Sequence, residues 1–195
     1  MINYPHAYYL KYFLNKQMNV LVWNYRGYGR TKGAPDPDNI CRDAEQVLHF
    51  LKTRIGVRGK IGIYGRSVGC TAACHLHPYI DMLIADRGFC DLWTLAEAKF
   101  YGKFAKEFFK LATFGWQANN SFKMIKQPSM KPIDNEISPV QNKCYKLIMC
   151  DKNDEIVNMN SSILAGVARE ICYLQAKKTG YDKSKVGILT TQECQ

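Results

Sequence analysis

The chain has 195 residues, of which 47% are hydrophobic and 23% charged; this is the make-up of a globular protein with a sizeable core and excludes a disordered polymer. Its net charge of +10 is compatible with anionic partners, yet no Arg/Lys-rich block, RNA-binding signature or helix-turn-helix pattern accompanies it, so nucleic acid is excluded as the expected partner. No run of about 18 apolar residues is present, so no membrane-spanning helix is expected, and Met1-Ile2-Asn3-Tyr4-Pro5-His6 has no signal-peptide core.

Residues 7–17 predict a helix. Asn19-Val20-Leu21-Val22-Trp23-Asn24-Tyr25 predicts a buried strand, because β-branched and aromatic residues crowd it. Arg26-Gly27-Tyr28-Gly29-Arg30 is a turn. Asp36-Pro37-Asp38 puts proline and acids where a helix start favours them. Ile40, Ala44, Val47, Leu48, Leu51 and Ile55 then recur at helical spacing as one apolar face, and Gly56 and Gly59 end the helix. Ile61-Gly62-Ile63-Tyr64 reads as a strand that stops at Gly65, with Ser67, Gly69 and a second helix behind it. Further strands are expected at Met82–Ala85 and Tyr145–Cys150. A last helix is expected from Ser161 to Lys177, with Ile163, Leu164, Val167 and Ile171 on one side. Strands alternating with helices predict a parallel α/β sheet. Residues 91–135 interrupt the alternation and are expected as a helical lid insertion over the carboxyl edge of the sheet.

The segment Gly65-Arg66-Ser67-Val68-Gly69 has the form G-x-S-x-G between a strand and a helix, the sequence form of a nucleophile elbow. A serine that attacks a carbonyl must stand on a tight turn, and glycines two residues before and after it let that turn close without Cβ clashes. The residue behind the serine, Val68, is then placed to offer its N–H to a developing oxyanion.

Eight cysteines, Cys41, Cys70, Cys74, Cys90, Cys144, Cys150, Cys172 and Cys194, are irregularly spaced, and most lie in apolar runs; they read as reduced, buried thiols of a cytoplasmic protein, with no disulfide framework. Cys70, Cys74, His75 and His77 have metal-ligating side chains, but they fall on the helix behind the elbow, where packing is the expected role, so no metal and no cofactor are expected. Between residues 92 and 114, Phe100, Phe104, Phe108 and Leu111 share one helical face, and Lys99, Lys103, Lys106 and Lys110 share another. The pattern suits a helix that packs its aromatics on the domain; it equally suits a lid over an acyl pocket, or a peripheral contact with an anionic membrane.

Four stretches together carry a resemblance. Asn24-Tyr25-Arg26-Gly27-Tyr28-Gly29-Arg30-Thr31-Lys32-Gly33 is similar to the D-Y-R-G-Y-G-x-S-x-G segment of α/β-hydrolase-fold serine hydrolases. Tyr64-Gly65-Arg66-Ser67-Val68-Gly69 resembles their elbow, Asp86-Arg87-Gly88-Phe89 their D-R-T-F, and Asp151-Lys152-Asn153-Asp154-Glu155-Ile156-Val157 their acid loop. The group resembled is that of monoacylglycerol-lipase-like, depalmitoylase-like and serine-aminopeptidase-like enzymes. The resemblance implies Ser67 as nucleophile, Val68 N–H as an oxyanion donor and Asp154 as the acid that orients the base. It implies a small acyl substrate, an ester, thioester or amide with lipid or acylated species favoured. Asp86 is a weaker candidate acid, expected instead in a local contact with Arg87, and Arg26 and Tyr28 are expected to shape a turn.

The triad's third member is not visible. Serine needs a histidine to take its proton, and the family's base follows the acid. Here the histidines are His6, His49, His75 and His77, and none follows Asp154. None is assigned as the base. The family's earlier strands and its second oxyanion donor are also not seen ahead of residue 5. The expectation is one α/β-hydrolase domain, incomplete at both ends, whose native N-terminus lies further upstream. The alternative is a non-catalytic, membrane-associating or scaffolding relative.

Overall fold

In the computed structural model the described residues are 7–99, 104, 106–108, 119–125 and 144–179. Phe100, Lys103, Lys110 and Leu111 of the aromatic-lysine pattern lie outside them, as do Cys194 and most of the 91–135 insertion. The chain divides into two compact units, Met1–Pro35 and Asp36–Gln195.

The first unit holds α1 (Ala7–Asn15) and the Gly-rich turn. Gly27 and Gly29 adopt φ +80° and +60°, and a Cβ on Gly27 would stand 2.7 Å from Cδ of Pro35. The N–H of Gly27 donates to the Thr31 carbonyl at 2.9 Å and that of Tyr28 to the Tyr25 carbonyl at 3.0 Å. Arg26 packs its stem on Gly33, so Arg26 and Tyr28 do shape a turn. The expected strand at 19–25 does not form. Val20, Leu21 and Val22 are 37%, 39% and 45% exposed, and no backbone ladder runs through them among the described residues. A β-branched run becomes a strand only when a neighbouring strand takes its N–H and C=O groups, and among the described residues no strand pairs with it.

The second unit is a three-stranded parallel sheet with helices packed on it. β1 (Gly62–Arg66), β2 (Met82–Asp86) and β3 (Tyr145–Met149) lie in the order β1-β2-β3. Gly62 pairs with Met82 and Met82 with Tyr145; at the other end Arg66, Asp86 and Met149 stand in line. The three carboxyl ends are therefore flush, and the loops after them share one edge. The expected strand at Ile61–Tyr64 starts one residue later and runs on to Arg66, and the expected boundaries of β2 and β3 each shift by one residue at the carboxyl end.

α2 (Pro37–Thr53) starts as its sequence dictates: Asp36 accepts from the Asn39 N–H at 2.8 Å and Pro37 occupies the first turn. Ile40, Ala44 and Leu48 of its apolar face are buried, whereas Ile55 lies past the helix end and is 59% exposed. α3 (Gly69–Leu76) is the centre of the unit, packed against β1, β2, α2 and the short α5 (Asn120–Ile125). Small buried residues on it, Cys70, Ala72, Ala73 and Cys74, permit that close approach. α4 (Leu92–Lys99) begins the insertion. α6 (Ile163–Thr179) buries Ile163 and Gly166, while Leu164 and Ile171 are 46% and 44% exposed. The buried stripe of α6 is set by Gly166. A Cβ there would stand 2.5 Å from Cβ of Cys90, and it would also overlap Ser121 of α5. The helix thus turns its smallest residue inward and leaves two larger ones outside.

Candidate active site

Ser67 and Val68 form the turn between β1 and α3. Ser67 adopts φ +51°, a left-handed conformation rare for a residue with a Cβ and costing about 1–2 kcal/mol. Its neighbours enforce the conformation. The Ser67 N–H continues the sheet ladder by donating to the Asp86 carbonyl at 3.0 Å, and the Ser67 carbonyl accepts from the Cys70 N–H at 3.0 Å. One residue therefore ends a strand and opens a helix. Gly65 is required by the same closure: a Cβ on it would stand 2.5 Å from the Gly69 carbonyl oxygen and 2.9 Å from Cβ of Ala73. A side chain at Gly65 has no room in this turn.

Val68 opens α3, where backbone N–H groups have no intrahelical partner. Its side chain packs against the buried pair Phe89 and Val157. Val157 belongs to the loop after β3 and donates its N–H to Oδ1 of Asp154 at 2.9 Å; Ile156 donates to the same oxygen at 2.8 Å. The serine turn and the acid loop are therefore joined through Val68, Phe89 and Val157. Asp154 is half-buried, with one carboxylate oxygen fixed by two backbone donors.

Asp86 has the expected local contact, and more. Its carboxylate, 3% exposed, lies 3.7 Å from Arg87 and 3.9 Å from Arg66, and accepts a 2.5 Å hydrogen bond from the Tyr64 hydroxyl. Arg87 also reaches Asp151 at 3.6 Å and donates its backbone N–H to the Met149 carbonyl at 2.8 Å. Asp86 thus anchors the sheet edge beneath the elbow. Tyr64 and Arg66 were not foreseen in this role. The signal was available: residues of period two share a face, and the β1–β2 register sets Tyr64 diagonal to Asp86.

The described histidines serve other partners. His75 Nε2 lies 2.5 Å from Oε1 of Glu45, and His77 Nδ1 lies 2.9 Å from the Cys74 carbonyl. Burial pushes the His77 imidazole below its ordinary value, with a smaller push in the same direction from Lys146. His49 sits on α2. Cys70, three residues beyond Ser67, is fully buried, and burial drives its thiol far above the ordinary range, so it is no rival nucleophile. Cys74 is pushed up to about 12 by the same cause. The described cysteines are free; Cys41, Cys70, Cys74 and Cys90 are buried, whereas Cys144, Cys150 and Cys172 are half-buried, and among the described residues no group of three or more side chains is placed to hold a metal ion. A cavity of about 150 Å³ lined by Asp91, Leu92, Trp93, Thr94, Lys106 and Asn119 lies at the base of the insertion; Ser67 is not among its lining residues. Among the described residues no helix is long and apolar enough to cross a membrane.

Comparison with known proteins places this geometry. No family model matches the chain, and no solved structure matches it. Curated proteins do. The chain is 40% identical over 52 residues to α/β hydrolase domain-containing protein 17C of Xenopus tropicalis, covering 26% of this chain and 17% of that protein. It is 28% identical over 116 residues to protein bem46 of Schizosaccharomyces pombe, covering 56% and 38%. It is 35% identical over 82 residues to phosphatidylserine lipase ABHD16A of Rattus norvegicus, covering 40% and 15%. The matches span well under half the length of these relatives. The three-stranded parallel sheet with flanking helices is consistent with a partial α/β fold. Over parts of its length, this chain is similar to proteins named α/β-hydrolase domain-containing proteins, and its parallel sheet with flanking helices is consistent with that likeness.

Proposed function

We propose that the chain is a serine hydrolase acting on a small ester, thioester or amide, with an acyl-enzyme on Ser67. The observation that carries the reading is the left-handed φ of Ser67 at the flush carboxyl edge of β1. Strained serines of this kind, raised on a strand–helix turn, expose Oγ for attack. Ser67 Oγ adds to the acyl carbon as a general base takes its proton, the Val68 N–H stabilises the oxyanion, and the same proton passes to the leaving group as its bond to the acyl carbon breaks, giving the acyl ester of Ser67. Asp154 orients the base through the carboxylate oxygen not bound by Ile156 and Val157. The base itself is not among His49, His75 and His77 in their described positions. A lipid or acylated substrate is favoured, because one relative is named a phosphatidylserine lipase.

The test is turnover of an activated short-chain thioester, together with labelling by a fluorophosphonate probe. Both are expected at a low rate in the 195-residue chain and absent in Ser67→Ala. Turnover that survives the substitution unchanged contradicts the reading.

A second reading is favoured by one observation. Phe104 and Phe108 are 93% and 73% exposed, so these two aromatics are not packed on the domain. With Lys99, Lys103, Lys106 and Lys110 nearby in sequence they form an apolar face flanked by cations, suited to an anionic membrane surface. Co-sedimentation with phosphatidylserine vesicles, weakened by salt and lost in Phe104→Ser/Phe108→Ser, is the expected result. Equal binding to phosphatidylcholine vesicles at all salt concentrations contradicts it.

A further inference from the structure

α4 opens the insertion, and its sequence gives it one face that looks toward the elbow and the acid loop. Leu92, Leu95, Ala96 and Lys99 follow one another at i, i+3, i+4 and i+7 and share one side of the helix. Ala96 is buried. Leu92 and Leu95 pack on the buried pair Phe89 and Val157, the same pair on which the Val68 side chain rests. Lys99, one turn further on, donates from Nζ to the Glu155 carbonyl of the acid loop at 3.2 Å. The amino end of α4 is tied down as well: Asp91 accepts from the Thr94 N–H and from the Thr94 hydroxyl, each at 2.7 Å. The helix also packs against the 3-10 turn Met159–Ser161 that follows the acid loop.

We infer that α4 is part of the frame of the site: Leu92 and Leu95 are positioning residues that act through Phe89 and Val157 to hold the Val68 N–H where an oxyanion forms, a role that rests on the serine-hydrolase reading of Ser67. The need for such support comes from the turn. Ser67 stands at φ +51°, and a residue so strained stays there only while its surroundings over-determine it. Val68 is β-branched and has few χ1 choices, so a seat that fixes its methyl groups also fixes the backbone beside Ser67. Val157 belongs to the same seat, and its N–H holds Asp154 at 2.9 Å. One helix therefore keeps the oxyanion donor and the acid in a common frame.

A helix that only covered apolar surface would behave differently. Trimming its inward leucines would lower stability and leave the chemistry of the folded fraction as it was. Trimming a positioning leucine lets Phe89 and Val157 shift, and Val68 with them, so the oxyanion contact itself weakens while substrate binding stays nearly the same.

The experiment follows the 195-residue chain, with imidazole added as general base, on an activated aryl ester and on the matching thionoester, in which sulfur replaces the carbonyl oxygen. The rates of Ser67→Ala are subtracted. Sulfur is a weak hydrogen-bond acceptor, so the thionoester gains little from the Val68 N–H, and the ester-to-thionoester ratio reads the oxyanion contact. A loss of folded protein lowers both rates and cancels in the ratio. Leu95→Ala is expected to lower kcat on the ester about tenfold with KM changed less than about twofold, and to lower the ratio about fivefold. Leu95→Met keeps the side-chain volume and is expected to restore both. Lys99→Met, at an exposed position, leaves the apolar seat intact and is expected to lower the ratio about twofold by freeing the acid loop. Turnover that does not depend on Ser67 overturns the serine-hydrolase reading and this role of α4 with it. Ser67-dependent turnover with a ratio unchanged in both Leu95→Ala and Lys99→Met overturns the role of α4 alone.

Discussion

Replacing Gly65 by alanine tests the elbow as a steric object. The new Cβ would stand 2.5 Å from the Gly69 carbonyl oxygen, 2.7 Å from its carbon and 2.9 Å from Cβ of Ala73. Two of these atoms are backbone at the start of α3, the central helix of the unit, so no flexible side chain can yield. Overpacking of this kind costs about 1–3 kcal/mol, and the backbone partners put the expected value near the upper end. For a chain of this length each kcal/mol lowers Tm by roughly 2–4 °C, so the loss is about 5–10 °C. Gly59→Ala is the control: nothing lies within 4 Å of its Cβ, and its φ is not in the left-handed region. It is expected to be neutral or to stabilise by about 0.4–1 kcal/mol through the unfolded chain. Urea denaturation followed by circular dichroism reads both. A Gly65→Ala protein within about 0.5 kcal/mol of the parent refutes the reasoning, because the turn would then have room it is described as lacking.

Ser67→Gly relieves the left-handed strain and is expected to be more stable than Ser67→Ala by about 1 kcal/mol in the same urea titration, although both remove the hydroxyl. Equal stability means that the turn is not strained. Tyr64→Phe removes the hydroxyl that binds buried Asp86 and is expected to cost about 1–3 kcal/mol; a smaller loss means Arg66 and Arg87 suffice. The two histidines of the α3 end titrate in opposite senses. His77 is held below its ordinary 6.5, so its contribution is present above that pH and lost on acidification; His77→Gln is expected to gain on the parent as pH falls from 8 to 5. His75 is held above 6.5, so its contribution is full at low pH and lost as pH rises; His75→Gln is expected to lag the parent at pH 5 and approach it at alkaline pH. Tm measured against pH in the two variants checks both signs.

What could be read from the sequence was whatever is decided locally. Asp36 and Pro37 mark the start of α2 by capping chemistry that needs no tertiary partner. The elbow is legible because Gly65, Ser67 and Gly69 answer a backbone geometry confined to a few residues. Residues 19–25 misled for the opposite reason: their composition describes what a strand would bury, while a strand also requires a paired neighbour. The inward face of α6 was misjudged because apolarity pointed to Leu164 and Ile171, whereas close approach to Ser121 and Cys90 selects Gly166. The cluster of Val68, Phe89, Leu92, Leu95 and Val157 was invisible, since its members come from three stretches of the chain and meet only through the fold.

The central proposal is that Ser67 is the nucleophile of an acyl-transfer site. The direct measurement is peptide-mapped labelling of the 195-residue chain by a fluorophosphonate probe across a series of imidazole concentrations. The proposal predicts slow labelling confined to Ser67, accelerated by imidazole acting as an added general base, and absent in Ser67→Ala. Labelling spread over other hydroxyls, or a Ser67 that stays unlabelled at every imidazole concentration in the folded chain, would contradict it.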